Sequence, residues 1–225
     1  MAAALAATRI NKDGLIEKGR ENLLTYSNQF DTTWGGDPNK RSITSGFSGY
    51  DGSNDAWKLE AISDNNYSVV SQAISNAGVE TFSVYAKAGT SNFIRIQITG
   101  GTNTSASFFD LSGSGAIGNN FNEIDAKIES VGNGWFRCSV TGNKTTSSTC
   151  VIMVVDANSS TNVTTGANIY IQDAQLEQSL VATGYIETTT ATVQKGILEN
   201  LPRLDYSGGA SCPSLLLEPN RTNLV

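Results

Sequence analysis

Histidine does not occur in this chain of 225 residues. That absence removes His-based triads, imidazole general bases and histidine metal ligands together. Cysteine is nearly as scarce: Cys138, Cys150 and Cys212 are too few for a disulfide framework and lack C-x-x-C spacing. Cys138 sits in an apolar strand pattern, so a buried free thiol is expected, with a Cys138–Cys150 bridge between neighbouring strands as the alternative. Charged residues make up only 16% and the net charge is −6, with the basic residues scattered. Neutralising a phosphate backbone needs clustered Lys and Arg, so no nucleic-acid partner is expected. No apolar run approaches the roughly 20 residues of a membrane-spanning helix, and no membrane partner is expected. The start, MAAALAATRI, has no basic residue ahead of its alanine run, and Arg9 follows it, unlike a secretory signal.

What is abundant is Gly, Ser, Thr and Asn, with 22 glycines against four prolines. That balance suits a β-rich extracellular or virion protein with many turns. The clearest strand-like runs are 55–62, 80–88, 92–99, 105–111, 122–130, 134–141, 149–156 and 168–177. Turn chemistry separates them at Gly89, Gly100-Gly101, Gly113 to Gly118 and Gly132-Asn133-Gly134. Several runs alternate strictly. Phe82, Val84 and Ala86 oppose Ser83, Tyr85 and Lys87; Ile94, Ile96 and Ile98 oppose Phe93, Arg95 and Gln97; Phe136, Cys138 and Val140 oppose Trp135, Arg137 and Ser139. Half-buried antiparallel strands have this period, and no run of 12 or more residues carries a helical stripe. The expectation is an all-β, jelly-roll β-sandwich over 22–189. Residues 1–21 read as an N-terminal arm, extended or a short helix, with a turn at Asp13-Gly14. Residues 190–225 read as a C-terminal connector broken by Pro202, Gly208-Gly209, Pro213 and Pro219. In it, Leu215, Leu216 and Leu217 are too apolar for water and are the expected assembly contact.

Residues 15–24, LIEKGRENLL, recur 201 positions later as LLEPNRTNLV (216–225). Leu15/Leu216, Glu17/Glu218, Arg20/Arg221, Asn22/Asn223 and Leu23/Leu224 match. This pattern suggests one unit of a modular, elongated protein whose next unit would begin after the second copy. Two similar strand-entry segments of one domain are the plainer alternative.

The segments ENLLTYSNQFDTTW, SGYDGSNDAWKLE, TFSVYAKAG, GNGWFRCSV, NIYIQDAQLEQ, ATGYIETTTA and LPRLDYSGGASCPSLLLEPNRTNLV, taken together, carry a resemblance. They resemble the carbohydrate-binding-module-like jelly rolls repeated in tailed-bacteriophage virion proteins, tail fibres and fibre-like proteins in particular. The resemblance runs from about Ala7 to Val225. It implies a galactose-binding-like sandwich, a place in a phage particle assembled in the bacterial cytoplasm, and homo-oligomers, trimers above all. The implied role is a tail- or head-fibre, fibre-anchoring or decoration subunit, with capsid or tail proteins and a host-surface glycan as partners. The competing reading is a carbohydrate-binding module of a secreted bacterial protein. No arrangement of Asp and Glu singles out a glycosidase pair, so no enzyme is expected. The glycine-rich 112–118 lacks phosphate-loop context and reads as a flexible hairpin loop.

Alternation assigns Tyr85, Lys87, Arg95, Gln97, Trp135, Arg137, Tyr170 and Gln172 to one outward face. A flat ring under a pyranose, with amide or guanidinium groups on its hydroxyls, is what a sugar site on a sheet needs. Trp135 with Arg137 fits that recipe; a core Trp135 amid ordinary surface residues is the alternative. Asp51, Ser53 and Asp55 place oxygens at alternate positions of a glycine-containing loop, an arrangement that suits calcium, with Asp173 as a second candidate. The loop lacks the bidentate Glu of an EF-hand, and a plain Asx turn is the competing reading. A structural calcium is the sole cofactor considered. Trp34, Tyr50 and Trp57 are expected to plug one end of the sandwich.

Overall fold

The structure, a computed structural model, describes residues 8–10, 16–64, 67–100, 103–195, 203–205 and 214–216. Every regular element among them is a strand. In chain order these are β1 (Thr8–Ile10), β2 (Ile16–Lys18), β3 (Arg20–Asn22), β4 (Arg41–Phe47), β5 (Ala56–Ala61) and β6 (Ser68–Ile74). They continue with β7 (Gly78–Ala88), β8 (Phe93–Gly100), β9 (Asn103–Asp110), β10 (Ala116–Phe121), β11 (Asp125–Gly132) and β12 (Trp135–Lys144). The last are β13 (Ser148–Val155), β14 (Asn168–Glu177), β15 (Val193–Lys195), β16 (Arg203–Asp205) and β17 (Ser214–Leu216). All-β architecture is thus the observed class.

The chain divides into two compact units, Glu21–Val193 and a second formed by Met1–Arg20 with Gln194–Val225. The larger unit is a jelly-roll sandwich of a five-stranded sheet, β10-β9-β8-β13-β6, and a six-stranded sheet, β11-β12-β7-β14-β5-β4. Their strands pair antiparallel throughout. In the smaller unit β1 pairs antiparallel with β2, and β16 with β17. Leu215 and Leu216 lie in β17. Leu217, Cys212, the Asp13-Gly14 turn and the whole 217–225 part of the second repeat copy lie outside the described residues.

Period-two alternation sets which side chains meet between the sheets. On β8, Ile94, Ile96 and Ile98 are buried while Phe93, Arg95 and Gln97 lie on the opposite side. They join Phe82, Val84, Phe136, Cys138, Val140, Cys150, Ile152, Ile169 and Ile171 in one core. The Asn133-Gly134 turn closes β11 onto β12, both residues at positive φ (54° and 78°), the geometry Asn-Gly favours. Cys138 is a buried free thiol, as its apolar pattern suggested, and so is Cys150. They stand on opposite sheets, not on neighbouring strands. Residues 112–118 are not all loop: β10 starts at Ala116. Trp34 and Trp57 pack around Phe30, with ring centroids 5.0 and 6.2 Å away. Tyr50 does not join that plug; it stacks on Tyr85 at 3.7 Å.

Candidate functional site

The expected single face of eight residues divides between two sheets. Tyr85, Lys87, Trp135, Arg137, Tyr170 and Gln172 belong to β7, β12 and β14 of the six-stranded sheet, while Arg95 and Gln97 belong to β8 of the other. Alternation fixes the side of a strand but not the sheet in which it lies, and that is where the assignment failed.

On the six-stranded sheet the outward side is covered. Trp135 is 1% exposed, Tyr85 8% and Gln172 0%. Tyr50, carried by the loop after β4, stacks on Tyr85 and meets Trp135 edge-on at 6.4 Å. Phe47, Tyr170 and Tyr185 complete the cluster. Arg137 lies over the Tyr85 ring at 5.4 Å and donates to Ser83 Oγ at 3.0 Å. Trp135 therefore offers no open ring to a sugar; it anchors a folded-back loop.

Asp51, Ser53 and Asp55 do converge, but on an amide. Gln172 Nε2 donates to Asp55 Oδ1 at 2.8 Å and to Asp51 Oδ1 and Ser53 Oγ at 3.2 Å, while Gln172 Oε1 accepts from the Tyr50 amide at 3.0 Å. A Cβ on Gly49 would collide with that amide, so the loop's close approach requires glycine. Hydrogen bonding to Ser53 foremost holds the Asp51 carboxyl below the usual range. Among the described residues no cluster of three or more acidic, His or Cys side chains could hold a metal. The loop oxygens are thus satisfied by an amide group where a cation would sit. Asp173 points elsewhere. It is the extra residue of a bulge on β14, at φ 54°, and its Oδ2 accepts from Tyr50 Oη at 2.9 Å. Burial foremost pushes its carboxyl up to about 7, against hydrogen bonds from Tyr50 and Tyr185 and with help from the Asp55 and Asp51 charges.

The outward side of the five-stranded sheet is different. Cross-strand register there builds successive rows: Val69, Met153, Arg95 and Phe108; then Ser71, Val151, Gln97, Ala106 and Phe121; then Ala73, Thr149, Thr99 and Thr104. Phe108, Met153 and Val155 form an apolar floor with Val69 and Phe93. Arg95 crosses that floor, its guanidinium carbon 5.5 Å from the Phe108 centroid and 5.9 Å from that of Phe121. Phe121 is 44% exposed, and Tyr67, immediately before β6, is 57% exposed. The loop after β13 bounds one end: Asn158 Oδ1 accepts from the Asn119 amide at 2.7 Å, and Ser159 meets the Asn119 side chain. In the middle, Arg95 Nε and Gln97 Oε1 are sheltered and have no hydrogen-bond partner among the described residues. Burial pulls the Arg95 guanidinium below its usual range, opposed by Tyr67.

This side therefore holds two aromatic rings open to solvent, a guanidinium and an unsatisfied amide. Arg95 and Gln97 were legible from alternation; Tyr67, Phe108 and Phe121 were not singled out. The Phe108 signal was present in SASFFDL, where alternation places Ala106 and Phe108 on the side opposite Ser105, Ser107 and Phe109.

A separate cleft of about 550 Å³ runs beside β6, lined by residues such as Leu23, Thr33, Ala73 and Asn76. Its one buried polar group, Gln72, is spent on Thr25 and Thr33.

No family model matches the chain, and no curated protein matches it. Among solved structures it is similar to TmCBM61 in complex with beta-1,4-galactotriose, at 13% identity and a TM-score of 0.39, over 70% of this chain and 99% of that one.

Proposed function

We propose that the protein is a carbohydrate-binding module, non-enzymatic, that holds its glycan on the outward side of the five-stranded sheet. The observation that carries this reading is the pair of sheltered, unpartnered groups on β8, Arg95 Nε and Gln97 Oε1, beside the exposed rings of Tyr67 and Phe121. A buried polar group without a partner is costly, and a sugar hydroxyl supplies one. An aromatic ring left in water is a stacking platform for the apolar side of a pyranose. A glycan array with the full chain tests this. Binding is expected, with a loss of at least about tenfold (roughly 1.4 kcal/mol) in Gln97→Ala and in Phe121→Ala. Unchanged binding in both variants, or no binding to any glycan, would refute it.

The repeat of 15–24 at 216–225 supports a finer reading: one unit of an array in a tailed-phage virion protein, its sugar face serving host adhesion. That role adds symmetric self-association, trimeric by preference, and contacts to capsid or tail proteins. Native mass spectrometry checks the association. A clean monomer at high concentration would favour the stand-alone secreted module.

A further inference from the structure

Charge on the candidate face narrows the class of sugar. Arg95 stands on the central strand of the five-stranded sheet. Two other arginines share its sheltered Nε, but each spends an Nη on the protein: Arg41 on the Trp34 carbonyl at 3.3 Å, Arg137 on Ser83 Oγ at 3.0 Å. Among the described residues no such bond holds Arg95 and no acidic side chain pairs with it; the Phe108 and Phe121 rings lie against it and Tyr67 interacts with its charge. The rows of the face contain one carboxylate, Asp110, opposite Phe93 at the strand end, and its Oδ1 accepts from the Ser112 amide at 2.8 Å. Asp156, past the end of β13, accepts from Thr164 Oγ1 at 2.6 Å. The face thus offers a single fixed cation whose usual counter-ion is absent from the described residues.

The geometry of the free edge matters as much as its charge. With Nε sheltered, the two Nη groups are the open end of the guanidinium, and their N–H bonds present a planar fork spaced for the two oxygens of a carboxylate. The rings beneath it hold that fork in orientation, so less freedom is lost on binding. One row along the same strand, Gln97 Oε1 waits for a donor. A hexuronate carries both complements on one ring: a carboxylate, and hydroxyls that donate. Its apolar ring side is left for Phe121 or Tyr67.

We infer that the face selects an acidic glycan, one built of uronate residues, with Arg95 taking the carboxylate and Gln97 a hydroxyl. This rests on the glycan reading above and goes beyond it in naming the ligand class.

Calorimetric titration of the full chain tests it with four probes: uronate oligosaccharides (galacturonate, mannuronate and glucuronate types), their methyl esters, neutral galactan and glucan oligosaccharides, and a sulfated oligosaccharide. Uronates are expected to bind at least about tenfold more tightly than their esters. That advantage is expected to shrink as salt rises from about 0.05 to 0.5 M, because an exposed ion pair is screened. Arg95→Gln is expected to erase the preference for acid over ester while leaving the thermal midpoint in place. If that variant fails to fold, the ester comparison and salt series on the native chain decide alone. Equal affinity for acid and ester overturns the inference and leaves the glycan reading standing. Preference for the sulfated or neutral probes overturns it in the same way. Silence from every probe overturns this inference, and the glycan array then decides the glycan reading by itself.

Discussion

Asn22 shows how one side chain can organise three segments. It is fully buried; its Nδ2 donates to the Ala174 carbonyl at 3.1 Å and the Ile186 carbonyl at 2.8 Å. Its Oδ1 accepts from the amides of Leu24 at 3.2 Å and Leu176 at 3.1 Å. Chain entry, β14 and the closing segment are tied together. Asn22 is also one of the positions matched in the repeat. Asn22→Ala strands those buried groups, and about 2–4 kcal/mol of stability should be lost. Urea unfolding checks this, with a lower midpoint and an unchanged slope as the expected result. Asp173 makes a pH prediction. Its folded pKa, about 7, lies above the 3.8 of an ordinary aspartate, so the native state holds the extra proton between those values. Stability should fall as pH rises through that window, at up to about 1.4 kcal/mol per pH unit. Asp173→Asn removes this slope, so the variant should gain on the native protein between pH 4.5 and 8. Parallel unfolding curves for the two proteins across that range would contradict the assignment. The sequence marked Asp173 out only as a calcium candidate, an acid on the parity of Ile169 and Ile171, and not as a buried partner of Tyr50. The break in parity from Ile169 and Ile171 to Ala174 and Leu176 was there to be read as a bulge.

Strands legible in the sequence are mostly those with one buried side. β5, β7, β8, β9, β12, β13 and β14 were each seen as runs, as was the end strand β11, and β8 alternates buried with half-buried almost residue by residue. The strands not singled out, β4, β6 and β10, all lie at sheet ends. An end strand such as β10 has little buried on either side, so its composition carries no period to detect. Alternation also places Glu80 inward at the start of β7. It is fully buried, neither oxygen has a hydrogen-bond partner within ordinary geometry among the described residues, and burial foremost raises its pKa against the pull of the nearby Ser148 hydroxyl and of Lys144. Lys144, 2% exposed, answers from β12 and donates to Ser105 Oγ at 2.8 Å and the Asn103 carbonyl at 3.1 Å. Buried charges of this kind rarely add stability, but orphaning one is expensive. Lys144→Met should cost about 1–3 kcal/mol through the two hydrogen bonds it loses and the charge it withdraws from Glu80, and Glu80→Leu combined with it should recover part of that loss. A double-mutant cycle on unfolding midpoints measures the coupling. Additive losses would show that the two charges do not sense each other.

At the scale of the sandwich, the two outward sides have been put to opposite uses. The six-stranded sheet is closed by its own loops: Tyr50 lies on Tyr85, and Gln175 Nε2 is bonded to Glu177 and to the Thr183 and Gly184 carbonyls of the closing segment. The aromatic residues that looked most like a sugar platform are spent on holding those loops. The five-stranded sheet keeps its central strand accessible, with Arg95 and Gln97 only half-buried. This asymmetry was not legible, because it depends on which sheet a loop folds back upon, a choice set by contacts over a hundred residues apart such as Tyr50 to Asp173. It predicts where a bound glycan leaves its footprint. Amide hydrogen exchange with and without saturating saccharide should slow in 67–71, 93–99 and 119–121 and stay constant in 48–55 and 135–142. Binding protects only the groups it covers or the openings it suppresses, and the covered side is already closed without ligand. Protection confined to 48–55 and 135–142 would mean that the loop opens to admit the sugar onto Tyr85 and Trp135, and would move the site to the other sheet.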